Sequence, residues 1–367
     1  MKKILRGVFI SLKWLIAGII MVEVASFLAI SLSNYWIYGQ FRDGERVSYD
    51  PYALFLEGGR RTYNNPPAGK GVLTVWLFGG SSMRGATYHD DRTIPSFLAQ
   101  AWNRQEPQAP AVMINHGEDG FNSLMETKYL QKLLIDDQAP NLIVFYDGAN
   151  DSAYFAQQRT PDAHQGYERV RGMIEDYHRS LFGLLKPLNA ALWSSFTKEL
   201  YDKIRQGVIR INPQDPVLQK FVNSCEKRYD YVNKIAASFG AKFLLIWQPC
   251  WWTETAPVAV QVQKHEGLIM TKKSALRHNF LVTYRALKER LQHKPYFVDY
   301  QNILCARTEP VYQPDGIHLL DVGRKIVARD ISRTMKERLL SAAPRSHPRG
   351  WVALHPPRSP HPKIHSN

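Results

Sequence analysis

Four short segments of the chain carry side chains suited to acyl-transfer chemistry. Phe78-Gly79-Gly80-Ser81-Ser82-Met83-Arg84-Gly85 follows an apolar run. Its glycines permit a sharp turn that lifts a serine hydroxyl clear of a strand end, with a helical turn after it. Asn115-His116-Gly117-Glu118-Asp119-Gly120 and Asp147-Gly148-Ala149-Asn150-Asp151 follow two further apolar runs. A glycine N–H and an asparagine amide beside a serine are what a developing carbonyl oxyanion needs. Pro314-Asp315-Gly316-Ile317-His318 sets a carboxylate and an imidazole three residues apart. The carboxylate can orient the imidazole, which then takes the serine proton. Each segment by itself also reads as an ordinary turn, and Ser82 stands beside Ser81 as an alternative nucleophile.

Positioning these groups requires elements that end at one edge. Val72 to Phe78, Ala111 to Asn115, Leu142 to Tyr146, Lys242 to Trp247 and Tyr296 to Tyr300 are apolar, β-branched or aromatic runs separated by helical patterns. That alternation predicts an α/β fold on a parallel sheet covered on both faces, whose ligands bind beyond the carboxyl ends of the strands. Ser123-x-x-Glu126 predicts a capping box opening a helix, and a helix over Leu218 to Phe239 should stop at Gly240. Ile326, Val327, Ile331, Met335 and Leu339 make the core-facing stripe of the last helix.

Taken together and in this order, the four segments resemble the SGNH (GDSL-like) hydrolase superfamily, named for its Ser, Gly, Asn and His. The resemblance spans roughly residues 71 to 340, with an aromatic, basic and helical insertion at 151 to 216 suited to a lid. It implies Ser81 as nucleophile, His318 as base and Asp315 as orienting acid. It also implies oxyanion donors from the Ser81 backbone, Gly120 and Asn150. The implied fold is three-layered and flavodoxin-like with a five-stranded parallel sheet, and the implied chemistry is ester hydrolysis or acyl transfer without metal or organic cofactor. The family's usual Gly-Asp-Ser motif has an acidic residue where this chain has Gly80, which resembles the Gly-Gly-Ser variants of membrane-linked members.

The chain has 367 residues, 44% of them hydrophobic, enough to bury a large core. Trp14 to Leu32 is a 19-residue apolar stretch preceded by Lys2, Lys3, Arg6 and Lys13. As a helix it extends about 28 Å, close to a bilayer's hydrocarbon thickness. The basic flank predicts a single-pass anchor over residues 1 to 33 in the cytoplasmic membrane, with the amino terminus inside and the catalytic domain on the periplasmic or extracytoplasmic side. A cleaved signal peptide is the alternative, against which stand the length of the stretch and the lack of a clear cleavage site. Glu23, mid-span, reads as tolerated or protonated in so apolar a helix, with a helix partner as the alternative.

Residues 34 to 70 read as an extended arm without a core of its own, and 341 to 367 as a disordered basic tail. Much of the net charge of +14 lies at the two ends. The chain shows no zinc-finger spacing, aromatic RNA-binding signature or basic helical face, so nucleic acid is not an expected partner. His116, Glu118 and Asp119 offer one imidazole among solvated carboxylates, a poor metal site. His89, Asp90 and Asp91 read as a loop before a helix near Thr93. Cys225 falls on an apolar stripe as a core thiol, and Cys250 and Cys305 leave room for one bridge.

Trp251 and Trp252 leave the fourth strand on the same edge as the triad, where they either stack on sugar rings or pack under the insertion. The substrate expected from exported location and these tryptophans is an O-acylated envelope polysaccharide or glycoconjugate. A lipid esterase or lysophospholipase is the nearest alternative. A glycan-binding or assembly component that keeps the fold without catalysis is a second class, to which a matched acid, base and nucleophile would be superfluous.

Overall fold

A computed structural model describes residues 2–38, 48–67, 69–85, 89–179, 183, 185–206, 210–260, 262, 266 and 275–340. The tail from residue 341, expected to be disordered, lies outside the described residues. Helix α1 (Lys2–Tyr38) contains a 28-residue stretch, Arg6–Ser33, with mean hydropathy up to 2.4, long and apolar enough to cross a membrane. A short antiparallel hairpin follows, β1 (Ser48–Asp50) with β2 (Leu54–Leu56).

The main body then runs β3 (Leu73–Gly79), α2 (Ser81–Arg84), α3 (Ile94–Gln105), β4 (Ala111–Asn115), α4 (Ser123–Asp136), β5 (Leu142–Asp147) and α5 (Ala149–Gln158). Three further helices, α6 (Tyr167–Arg179), α7 (Leu185–Ser194) and α8 (Phe196–Gln206), make up the helical insertion with α5. The chain returns through α9 (Pro216–Ser238), β6 (Lys242–Trp247), α10 (Ala275–Leu291), β7 (Phe297–Asp299) and α11 (Asp321–Leu339). The five strands β3 to β7 are all parallel, in the order β4-β3-β5-β6-β7. This is the expected three-layer α/β architecture.

Period-two alternation sends successive side chains to opposite faces, and both faces are apolar. Trp76, Phe78, Ile143, Phe145, Phe243, Leu245 and Trp247 pack under α4, α5, α9 and α10. Val75, Leu77, Val144, Leu244 and Ile246 pack under α3 and α11, where Trp102, Ile331 and Met335 are fully buried. Each such side chain, once buried, contributes about 1.5–3 kcal/mol.

Three expectations need correction or completion. The helix after Gly120 has Asn122, not Ser123, at its N-cap, and no capping box forms. Ser123 instead bonds Asp151, and Glu126 is wholly buried. The three cysteines are buried and free, so Cys250 and Cys305 are not bridged. Glu23 has found a partner: its carboxylate accepts from the backbone N–H groups of Phe196 and Thr197 at 2.5 and 3.0 Å and from the Thr197 hydroxyl at 2.7 Å.

The arm after α1 has a structural task at the sheet edge. Strand β4 is an edge strand, and such an edge presents unpaired backbone groups. Asn103 closes the first position, its amide bonding both the N–H and C=O of Ala111 at 2.8 and 3.0 Å. Asn65 of the arm does the same for Met113, at 2.9 Å each way, and Arg60 makes a bridge with Asn115. The apolar contact of the arm is shared with the main body, since Ala53 packs with Phe121 and Met125.

Asn65→Ala should therefore lower the unfolding free energy by about 1–3 kcal/mol, the cost of stranding two strand-edge groups. Asn65→Asp should cost at least as much, because its second oxygen faces the Met113 carbonyl. Denaturant unfolding of the purified protein checks this; an unchanged midpoint for both would show that the edge needs no cover.

Candidate active site

Strand β3 lies between β4 and β5, which leave it in opposite directions across the sheet, and that switch point opens a crevice at its carboxyl end. Ser81 is the first residue of α2 at that point and is half-buried. Ser82 turns into the body and is 8% exposed, so the crevice serine is Ser81. Gly117 to Gly120 flank it after β4, and Gly148 to Asn150 after β5.

His318 arrives from the far side on a hairpin turn. Tyr312 pairs with Leu319, and the Gln313 N–H donates to the His318 carbonyl at 2.8 Å. Gly316 takes φ +72° in this turn, a conformation side-chain-bearing residues avoid. The His318 Nε2 lies 2.7 Å from the Ser81 Oγ, and its Nδ1 lies 2.5 Å from the Asp315 Oδ2. The other Asp315 oxygen accepts the backbone N–H groups of Ile317 and His318 at 2.8 and 2.9 Å. With Nδ1–H donated to Asp315, the Nε2 lone pair faces the serine hydroxyl, the tautomer a general base requires.

Electrostatics favour the charged relay. Burial opposes ionisation of Asp315, but the hydrogen bond and charge of His318 and two backbone donors outweigh it and hold the carboxyl below 3.8. Burial likewise opposes a charged His318, yet the bond to Asp315, its charge and that of Asp119 raise the imidazole above 6.5.

Asn150 lies against the nucleophile turn. Its amide nitrogen donates to the Phe121 carbonyl at 2.6 Å. A Cβ built on Gly80 would come within 2.2 Å of that nitrogen and 3.1 Å of the Phe121 oxygen. The glycine before Ser81 thus has a physical reason: the amide occupies the space that any side chain there would claim. Gly120, at φ +71°, is covered by Gln165 from the segment before α6; a Cβ on it would overlap the Gln165 amide. The Asn122 amide ties that segment down by donating to the Ala163 carbonyl at 2.9 Å.

Several contributors carried no motif. Arg84, buried three residues after Ser81, lies 2.9 Å from Glu57 of the arm and within 4 Å of Glu118 and Asp119. It joins the nucleophile helix to the loop containing Gly120. Beneath Asn150, Glu126, Asp147 and Asp151 form a buried carboxyl cluster. Tyr229 donates to Asp147 at 2.9 Å, the Ser123 hydroxyl donates to Asp151 at 2.6 Å, and Arg228 donates to Ser123 at 2.6 Å. Both Glu126 oxygens are buried with no donor of another group reaching them, and the neighbour is Asp147. Two adjoining carboxyls in an apolar setting are stable when one keeps its proton. Burial, then the adjoining Asp147 and Asp151, raise Glu126 well above 4.5; burial, then the charge of Asp151, raise Asp147 from 3.8 to about 8 against the opposing hydrogen bonds of Glu126 and Tyr229. Asp147 and Asp151 bracket Asn150 in sequence, the one signal that could have pointed to this support.

The remaining expected site residues lie as follows. Trp251 donates its indole N–H to Glu266 at 3.0 Å, and Trp252 lies beneath Gly316 and edge-on to Phe280 at 5.0 Å. Trp252 braces the hairpin carrying His318, and both rings are half-buried. His116 stacks on Phe78 and meets Trp76 and Tyr129 edge-on; burial of its ring pushes its pKa down to about 3, so it is a neutral packing residue. Asp90 and Asp91 sit in a short helical turn before α3, with Asp90 paired to Arg60. Among the described residues no group of three His, Cys, Asp or Glu side chains is arranged to hold a metal.

No protein-family model and no curated protein matches this chain. Solved structures that resemble it include Est24, a carbohydrate acetylesterase from Sinorhizobium meliloti, at 16% identity over 73% of this chain and 100% of that one, with a TM-score of 0.38. The acetylxylan esterase Axe2 from Geobacillus stearothermophilus is 14% identical over 71% and 93%, with a TM-score of 0.39. The psychrotrophic esterase EstA from Pseudoalteromonas sp. is 12% identical over 73% and 99%, with a TM-score of 0.38. Likenesses this shallow leave the functional argument to the residues themselves.

The carboxyl cluster makes a pH prediction. Glu126 and Asp147 hold protons more tightly folded than unfolded, so each contribution is fully present below the ordinary carboxyl range and is lost as pH rises through the raised folded pKa, about 8 for Asp147. Glu126→Gln keeps a neutral donor facing Asp147 and should flatten that loss. Melting temperatures of variant and wild type, compared from about pH 6 to about pH 9, should diverge in the variant's favour; parallel curves would mean the pair is not protonated.

Proposed function

We propose that this chain is a serine ester hydrolase or acyltransferase of the SGNH kind that acts on O-acyl groups, acetyl foremost, of a cell-envelope polysaccharide or glycoconjugate. The observation that carries the proposal is the Ser81–His318–Asp315 chain of hydrogen bonds at the switch point of the sheet. In this reading residues 1 to 33 are a single-pass anchor, 34 to 70 an arm, 71 to 340 the catalytic domain with its insertion at 151 to 216, and 341 to 367 a basic tail, with the amino terminus in the cytoplasm and the α/β domain exported.

In the proposed reaction His318 Nε2 takes the proton of Ser81 as the Oγ attacks the ester carbonyl carbon, and Asp315 stabilises the imidazolium. The oxyanion receives hydrogen bonds from the Ser81 and Gly120 backbone N–H groups and from the second N–H of the Asn150 amide, whose first is held by Phe121. Collapse breaks the ester C–O bond, and the imidazolium protonates the departing alcohol. A water or a sugar hydroxyl, deprotonated by His318, then attacks the acyl-serine and regenerates the enzyme.

The polar rim supports a small acyl group on a polyol: exposed Gln165 covers Gly120, and half-buried Asp119 lies on the same loop. A lipid ester is the second reading, favoured by the contact of the insertion with α1 through Glu23. A screen of acetylated sugars against long-chain acyl esters separates the two.

Ser81→Ala and His318→Ala should each abolish turnover in folded protein, and the double variant should lose little more. Asn150→Ala should lose about 10²–10³ in kcat, or about 3–4 kcal/mol of transition-state stabilisation. The base must be neutral to act, so kcat/KM should fall as pH drops through a His318 pKa above 6.5. Asp315→Asn removes what raises that pKa, so its residual acid limb should move to lower pH. A limb unmoved by Asp315→Asn would remove His318 from the role of base.

A further inference from the structure

The insertion touches more than the crevice. The first turn of α8 packs on the carboxyl-terminal half of α1: Phe196 meets Phe27 edge-on at 4.9 Å, and the Ser26 and Thr197 hydroxyls lie 3.4 Å apart. Glu23, Ser26 and Ile30 fall on one face of α1, and Ser26 and Ile30 are buried there although most of the helix is exposed. Glu23 stands at the centre of the Trp14 to Leu32 stretch, and its carboxylate accepts hydrogen bonds from the backbone N–H groups of Phe196 and Thr197 at the α8 amino terminus. A charge in hydrocarbon needs such partners, and a helix amino terminus favours a negative one.

This contact limits how α1 can sit in a bilayer. If α8 were wholly in water, the hydrocarbon would cover only residues before Glu23. The roughly 20 residues required would then run from Lys3 to Val22 and put Lys13 near the bilayer centre. Lys13 is exposed on α1, in the worst place for an ammonium group. Seating Trp14 to Leu32 in the hydrocarbon leaves Lys13 at its edge and requires α8 to enter the leaflet beside Glu23. The charges next to that point are already paired: Lys198 with Asp202 at 2.6 Å and Arg169 with Glu199 at 3.2 Å. The neighbouring α7 shows an apolar face one helical turn apart, Leu188 and Leu192, 55% and 60% exposed.

We propose that the α7–α8 end of the insertion lies in the bilayer leaflet on the side of the α/β domain, with Leu188 and Leu192 against lipid acyl chains and Glu23 as its attachment to the anchor. The proposal rests on α1 spanning the membrane. The occupant of the apolar face is lipid, because α7 packs on α8 and α8 packs on the helix that spans the bilayer. The insertion leaves the sheet at Asn150 through α5, so the mouth of the crevice is held at a fixed height above the membrane surface.

The test uses full-length protein in phosphatidylcholine–phosphatidylglycerol nanodiscs, with an environment-sensitive NBD label on a single introduced cysteine. Wild type, whose thiols are buried, gives the background labelling. Leu192→Cys should show blue-shifted emission that acyl-chain doxyl lipids quench, as should Ile19→Cys on α1. Ile135→Cys, 68% exposed on α4, should stay red-shifted and unquenched. Quenching at Ile19 with none at Leu192 would overturn the inference while keeping the anchor. Absence of quenching at both would overturn the anchor and the inference with it.

Discussion

The hydrogen bond between the Ser81 hydroxyl and the His318 imidazole joins residues 237 apart in sequence, and the proposed chemistry depends on it. Nothing local holds its two ends together. Ser81 is placed by β3, inside the sheet and buried on both faces, and by the four-residue helix that starts on it. His318 is placed by a hairpin between β7 and α11, clamped by Asp315 through three hydrogen bonds and propped by Trp252 under Gly316. The order β4-β3-β5-β6-β7 opens the crevice beside β3 and brings this hairpin to its edge. A shift of about 1 Å in either support would break a 2.7 Å contact, which is why so much packed structure serves one bond.

The side proposed to hold the oxyanion is built differently. Its groups sit on loops, and loops need fixing. Arg84 ties the nucleophile helix to Glu57 and to the loop before Gly120, while the arm supplies Ala53 against Phe121. Below Asn150, three buried carboxyls with Tyr229, Ser123 and Arg228 hold the start of α5. An apolar cluster of the same size would be more stable at high pH, since buried carboxyls resist losing their protons. Hydrogen bonds from fixed partners give direction that apolar contacts cannot, and Asn150 needs direction.

The strands and the crevice residues were legible because their signals are local. Apolar runs ending in Gly-Gly-Ser, Gly-Glu-Asp-Gly and Gly-Ala-Asn-Asp mark strand ends whatever the tertiary context. The supports were not legible, because they arise only when distant segments meet. Ser123 and Glu126 have the spacing of a capping box, and only the approach of Asp147 and Asp151 draws both inward. Asn65 reads only as part of an extended arm until β4 turns out to be an edge. Trp251 and Trp252 were traced to the right edge, but whether an indole is open to ligand depends on Glu266 and Gly316. Glu23 read more readily as a tolerated or protonated residue than as half of a pair, because its partner is 173 residues away.

The central claim is that Ser81 is an activated nucleophile whose reactivity comes from His318. It is tested most directly by treating full-length protein with a fluorophosphonate and locating the modified residue by mass spectrometry. The account predicts one phosphonylated residue, Ser81, with labelling lost in His318→Ala and Ser82 unmodified throughout. Labelling at Ser82, or labelling of Ser81 that persists at the wild-type rate in folded His318→Ala, would contradict it.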